Sequence, residues 1–400
     1  MGSEWPVVRL GDVADMRTGF PFKSAQFVDD GIRLVRGDNV GQGRLRWDGV
    51  RYWPSSRLGE AADYELQADD VILAMDRPWI EAGLKYAAVQ QHELPCLLVQ
   101  RVARLRGTTV LDQRFLKYII GGSAFTDYLL SVQTGTTIPH ISATQIGGYS
   151  FALPPLDEQR RIASILGALD DKIELNRQMS RTLDETARAI FKSWFVDSRH
   201  SPETGTESRL PAGWSERPLD SIALFRNGLA MQKHPAIAGQ PSVPVVKIAQ
   251  LRAGETIGAD RAGVTFPDQY FVVDGDLLFS WSGSLLVDYW SGGRGALNQH
   301  LFKVEPNSGV PSWFVFYWIR EHLAALQHIA AGKATTMGHI QRGHLTCAMI
   351  TVPSAWDMTE AGSQIAPLVA RSLACRLQSR VLTRTRDALL PRLLSGEVRF

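Results

Sequence analysis

The chain has 400 residues, enough for two or three domains with cores of their own, and is 44% hydrophobic and 21% charged, as folded proteins usually are. A net charge of +2 excludes a uniformly basic surface. Its 34 arginines against nine lysines would suit contacts to guanine edges and phosphates, and would equally follow from a GC-rich genome.

In chain order, residues 1–155 alternate short apolar runs with Gly, Pro, Asp and Asn. Runs such as 32–35 and 71–73 predict strands, and 115–130 predicts a helix. A long helix is expected over 156–197. Pro154-Pro155 blocks it upstream, and Asp157 and Glu158 place acids at its positive end. Residues 198–354 contain a linker and a second strand-rich region, with strands near 245–248 and 271–273 and a helix near 313–329. A second long helix follows over 355–400, with a glycine cap at Ser395-Gly396 and a kink or early fraying expected at Pro391.

The two halves are copies. Thr136-Thr-Ile-Pro-His140-Ile141 recurs as Thr335-Thr-Met-Gly-His339-Ile340, an offset of 199 that also pairs Phe115 with Phe314, Tyr118 with Tyr317 and Leu183 with Leu382. Gly19 echoes Gly228, and Asp70-Val-Ile-Leu echoes Asp276-Leu-Leu-Phe. The first long helix carries a heptad seam of Ile162, Leu166, Leu169, Ile173, Asn176, Ser180, Leu183, Ala187, Ile190 and Trp194. Asn176 and Ser180 would set register at a cost in stability, or would be a solvated midpoint. The second helix has a poorer seam of Ile365, Leu368, Cys375, Leu382, Leu389 and Leu393, with Arg386 intruding. Two helices of about 40 residues, ~1.5 Å each, would pack antiparallel as a rod of roughly 60 Å and relate the copies by a pseudo-two-fold axis. Phe191, Phe195 and Val196 lie off the seam and suggest that another protein packs there.

Leu153-Pro-Pro-Leu-Asp-Glu-Gln159-Arg-Arg-Ile-Ala163, Leu169-Asp-Asp-Lys-Ile173, Ile190-Phe-Lys-Ser-Trp-Phe-Val-Asp197, Leu210-Pro-Ala-Gly-Trp214 and Leu389-Leu-Pro-Arg-Leu-Leu-Ser-Gly-Glu397 together resemble the specificity subunit of type I restriction–modification systems. The second copy departs from the pattern with Ser354-Ala-Trp-Asp-Met-Thr-Glu360, so a remodelled helix start is expected there. The resemblance implies an α+β fold of two target-recognition domains separated by long antiparallel helices. Each domain would read one half of an asymmetric bipartite DNA site. The helices would set the unread spacer and dock two methyltransferase subunits that bind S-adenosylmethionine. Motor-nuclease subunits using ATP and Mg would join for restriction.

No catalysis is expected in this chain. Its one Pro-Pro pair lacks the polar and aromatic neighbours of an amino-methyltransferase loop, and Gly332-Lys333 lacks the upstream glycine of a phosphate-binding loop. Asp157 and Asp170-Asp-Lys172 imitate a nuclease's carboxylates but sit on a helix. No His-Glu-x-x-His pair occurs, and no metal site is expected. Three scattered cysteines, the absence of an apolar run of roughly 18 residues and a start without signal-peptide character fit a cytoplasmic protein.

Base or phosphate readers must be polar or basic groups on loops or helix ends. The candidates in the first copy are Arg36, Asn39, Arg77, Thr136, Thr137 and His140. In the second copy they are Lys247, Gln250, Trp281, Arg294, Lys333, Thr335, Thr336, His339 and Arg342. The threonines could instead cap a turn, and Arg36 and Asn39 could belong to a solvated one. A duplicated protein–protein scaffold that does not read DNA is the competing interpretation.

Overall fold

A computed structural model describes residues 5–81, 83–135, 137–197, 210–332 and 338–399. The chain forms two compact units, Met1–Asp171 with Thr383–Phe400, and Lys172–Leu382. The division falls inside both long helices, Leu156–Phe195 and Ala355–Leu394, each of 40 residues.

In the first unit, a five-stranded sheet runs in the order Ala14–Thr18, Val102–Gly107, Val71–Ala74, Tyr86–Ala88, Gln42–Gly43. Val71–Ala74 is buried along its whole length, as a continuous apolar run flanked on both sides by partners should be. A second sheet pairs Ile32–Val35 in parallel with Cys96–Leu98 and antiparallel with Arg51–Trp53. Val7–Arg9 pairs with Ser150–Ala152 and so joins the start of the domain to the start of the long helix.

The second unit repeats this plan. Ala223–Asn227, Leu301–Pro306, Leu277–Ser280 and Val287–Tyr289 form one sheet; Arg261–Gly263, Ser242–Val246, Gly295–Leu297 and Phe271–Val272 form another; Ser215–Pro218 pairs with Met349–Val352. The glycines paired by the repeat have the same job. A Cβ on Gly19 would lie 2.3 Å from the Val99 carbonyl, and one on Gly228 2.2 Å from the Asn298 carbonyl, so only glycine allows this close approach. The paired aspartates do too. Asp70 Oδ2 accepts from Gln67 N and pairs with Arg106, while Asp276 Oδ2 accepts from Val273 N and pairs with Lys303.

Several local expectations are corrected. The helix expected over 115–130 is two, Gln113–Gly121 and Ser123–Val132, because Gly122 adopts an extended conformation between them; its counterpart Ser312–Ala331 is unbroken. The strand expected at 245–248 stops at Val246, and Ile248–Ala253 is helical. Pro391 does not end the second helix, which runs to Leu394. The left-handed Gly396 (φ 72°) follows, as expected.

The buried positions of the first helix follow the heptad seam: Ile162, Leu166, Ile173, Asn176, Ser180 and Ala187 are buried, and Leu169, Leu183, Ile190 and Trp194 half-buried. In the first unit Ile162 and Leu166 share a core with Leu393, with Leu389 packed against it. In the second unit Asn176 Nδ2 donates to Gln378 Oε1 (3.0 Å), Ser180 bonds Ser372 (2.8 Å) and Met179 touches Cys375. As one residue number rises its partner's falls, so the segments are antiparallel. Leu368 packs against the second unit's core, and Leu382 is half-buried.

Arg386 does not spoil the seam. Asp170 accepts from its Nη1 (2.8 Å), from Lys117 Nζ (2.5 Å) and from Tyr118 Oη (2.9 Å). Burial opposes ionisation of Asp170, but Lys117 and Arg386 outweigh it and hold the carboxyl below its ordinary range.

Phe191 and Phe195 overturn an expectation. Both are fully buried in the second unit's own core, against Phe314, Tyr317 and Trp318 and against Trp313 and Trp214 respectively; Val196 packs against the same core. Apolar surplus off the seam is absorbed within the chain.

The two helix starts are built differently, as the divergent string suggested. Gln159 is 1% exposed. It accepts from Asp112 N and donates to the carbonyls of Val110 and Pro154, tying the helix to its domain. In the second copy Ser354 caps Asp357 N, and Trp214 Nε1 donates to the Asp357 carboxylate.

Candidate nucleic-acid interface

In the first unit three polar side chains from distant parts of the chain meet at one end of the central strands of the sheet. Asp76 follows the central strand, Arg101 is the last residue of the three-residue connection between Cys96–Leu98 and Val102–Gly107, and His140 closes the loop after Ser123–Val132. The Asp76 carboxylate bonds His140 Nδ1 (2.6 Å) through one oxygen and Arg101 Nη1 (2.6 Å) through the other. Partial burial opposes its ionisation, yet Arg101 and His140 lower its pKa on balance. The backbone is tied as well: Asp76 bridges His140, Arg77 N donates to Pro139 O, and Met75 N to Arg101 O.

Arg77 and Arg101 both take positive φ, 44° and 65°, conformations that L side chains adopt only under tight local constraint. Both are exposed. Beside Arg77 a hairpin of Trp79–Ile80 and Gly83–Leu84 presents Trp79 and Ile80 to solvent. Burial depresses the Lys85 amine; Asp38 and Asp76 oppose this, whereas Arg46 and Arg77 reinforce it.

The second unit builds the same junction with other groups. Ser282 bridges His339 as Asp76 bridges His140, Ile340 N donates to Trp281 O, and Trp281 N to His300 O. His300, at the turn position equivalent to Arg101, bonds Ser282 through Nδ1 (2.9 Å), and Gln299 lies 3.3 Å from its Nε2.

The candidates chosen from sequence divide accordingly. Arg77 and His140 meet at the first junction and His339 lies at the second, while Thr137 is exposed in the loop that His140 closes. Asn39 is corrected: it is 2% exposed and its amide is consumed in a turn, accepting from Arg36 N and donating to Arg46 O. Arg36 pairs with its neighbour Asp38 (3.2 Å). Gln250 is likewise corrected. Lys247 and Gln250 do not leave the sheet on a loop but open a short helix, where Gln250 Oε1 accepts from Lys247 N; Lys247 also pairs with Asp260.

Trp281 is half-buried, donates to Gln299 O and packs against His300, Phe302 and His339. It braces the junction and does not offer its edge. Arg294 lies over the Phe271 ring (4.1 Å), and Arg342 donates to Phe225 O. Thr136, Lys333, Thr335 and Thr336 lie outside the described residues. Asp76, Arg101, Ser282 and His300 were not singled out from sequence; the one available signal was that Gln100-Arg101 and Gln299-His300 share the repeat offset.

Among the described residues no group of three His, Cys, Asp or Glu side chains could hold a metal ion, and no helix is long and apolar enough to cross a membrane.

A duplicated α+β fold, with long helices continuing from strand-rich regions that expose polar loop junctions, defines the class. Residues 2–185 match the family model described as the type I restriction modification DNA specificity domain. Over that first half the chain is similar to type I specificity subunits. It is 30% identical over 189 residues to the MjaVIII specificity subunit of Methanocaldococcus jannaschii, covering 47% of this chain and 44% of that one. It is 32% identical over 185 residues to the EcoAI specificity subunit of Escherichia coli, covering 46% and 31%. The MjaIX subunit of M. jannaschii matches over more of its length, at 24% identity and 71% and 69% coverage. The alignments thus span less than half of the first two relatives. In structure, the chain resembles the type I S subunit from M. genitalium, with a TM-score of 0.54 at 15% identity, covering 98% of this chain and 96% of that one.

Proposed function

We propose that the chain is the DNA-specificity subunit of a type I restriction–modification complex and leaves catalysis to other polypeptides. Each strand-rich unit reads one half of an asymmetric bipartite site in double-stranded DNA. The long helices set the unread spacer and dock two methyltransferase subunits, which bind S-adenosylmethionine. Restriction subunits supplying ATP- and Mg-dependent activity complete the complex in the cytoplasm.

The observation that carries this reading is that the fold of the half matched by a DNA-specificity domain model is repeated in the other half. The matched residues 2–185 contain one sheet plan and one polar junction, and the second unit repeats both with different side chains. Two similar frames with different polar groups suit a target whose halves differ in sequence.

Long-read methylation mapping of DNA from cells with and without the chain tests the proposal. A bipartite modified motif should be present only with the chain. Exchanging residues 1–150 for those of a relative with another target should change one half of the motif. Modification that persists without the chain refutes the proposal, and a change in both halves refutes one domain per half-site.

A further inference from the structure

The polar junctions point to particular readers. Three chain positions converge in each unit: 76, 101 and 140 in the first, 282, 300 and 339 in the second. The backbone frame is common to both. Arg101 O accepts from Met75 N, and in the second unit His300 O accepts from Trp281 N. What changes is the chemistry on the frame, from carboxylate, guanidinium and imidazole to hydroxyl and two imidazoles.

Arg101 is the most exposed member, with two-thirds of its side chain (66%) open to solvent. Its positive φ (65°) is one that glycine would adopt without strain. A long cation held there, in a tight turn and clamped by Asp76, has its direction set before any ligand arrives. Its guanidinium keeps donors on the side away from Asp76, the arrangement that reads guanine O6 and N7. Gln299 and His300 offer instead an amide and an imidazole, which suit other base edges.

We propose that the turn Gln100–Arg101 is the base-reading tip of the first unit, with Asp76 as positioning residue for Arg101, and that Gln299–His300 is its counterpart in the second, positioned by Ser282. This rests on the reading of the chain as a DNA-specificity subunit.

The test is the methylated motif in cells carrying the full complex with single variants of this chain. Arg101→Gly removes the guanidinium while relieving the left-handed backbone, so the melting temperature of the purified chain should hold or rise. One base position in one half of the motif should lose discrimination by roughly ten- to hundredfold, with the other half intact. Arg101→Lys keeps the charge without the bidentate fork and should relax the same position. Asp76→Asn should alter preference at that position, which a merely structural residue would not do. His300→Ala should relax a position in the opposite half.

An unchanged motif in both Arg101→Gly and His300→Ala overturns the assignment while leaving the DNA-reading function standing. Loss of both halves together with a lowered melting temperature in Arg101→Gly also overturns it. A wild-type chain that directs no motif sinks the functional reading, and this assignment with it.

Discussion

Replacing Asp170 with asparagine should unfold the first unit at markedly lower temperature. Asp170 is the shared acceptor for Lys117, Tyr118 and Arg386, and all three charged side chains of the cluster are less than a third exposed. Asparagine keeps the size but leaves Lys117 without its carboxylate and Arg386 with Asp387 alone. Breaking a buried ion pair by removing one partner costs about 3–5 kcal/mol. For a cooperative unit of roughly 150–250 residues, 1 kcal/mol shifts Tm by about 2–4 °C, so a fall near ~10 °C is expected. The loss should depend on pH. The folded carboxyl titrates below its unfolded value, so its contribution is complete above an unfolded pKa of about 3.9 and fades as pH falls through the lower folded pKa. Calorimetry of wild type and Asp170→Asn at neutral pH and near pH 2 measures both effects. A neutral-pH difference under about 1 kcal/mol, or one that persists undiminished in acid, would refute the role given to this cluster.

Three further outcomes follow from the helices. Asn176→Leu should raise stability by about 1–2 kcal/mol in chemical denaturation, because Asn176 Oδ1 is buried without a hydrogen-bond partner and only Nδ2 is used. Phe195→Ala should destabilise the second unit by about 3–5 kcal/mol even in the isolated chain, since the ring is buried by this chain's own residues; a loss confined to complex formation would restore the partner-docking idea. One heptad inserted into each long helix should lengthen the unread spacer in the methylation motif, and an unchanged spacer would argue against a ruler.

Local, periodic information made much of the architecture legible. A seam repeating every 3.5 residues needs no knowledge of the partner helix, so Ile162, Leu166, Ile173 and Asn176 could be placed inward from spacing alone. The duplication was equally visible, because close backbone approaches and turn-holding carboxylates restrict residue type at single positions such as Gly19 and Asp70. The fate of polar groups was not visible. Asn39 looks like an exposed reader until the fold delivers the Arg46 carbonyl to its amide. Phe191 and Phe195 announce apolar surface to be covered, but much of the cover, Phe314 and Trp318 included, comes from residues more than a hundred positions away. The junction of Asp76, Arg101 and His140 likewise exists only because strand pairing brings three distant segments together at one end of the sheet. Periodicity and turn chemistry are properties of neighbouring residues and survive in a one-dimensional string. Which donor meets which acceptor is decided by tertiary contacts that no local pattern encodes.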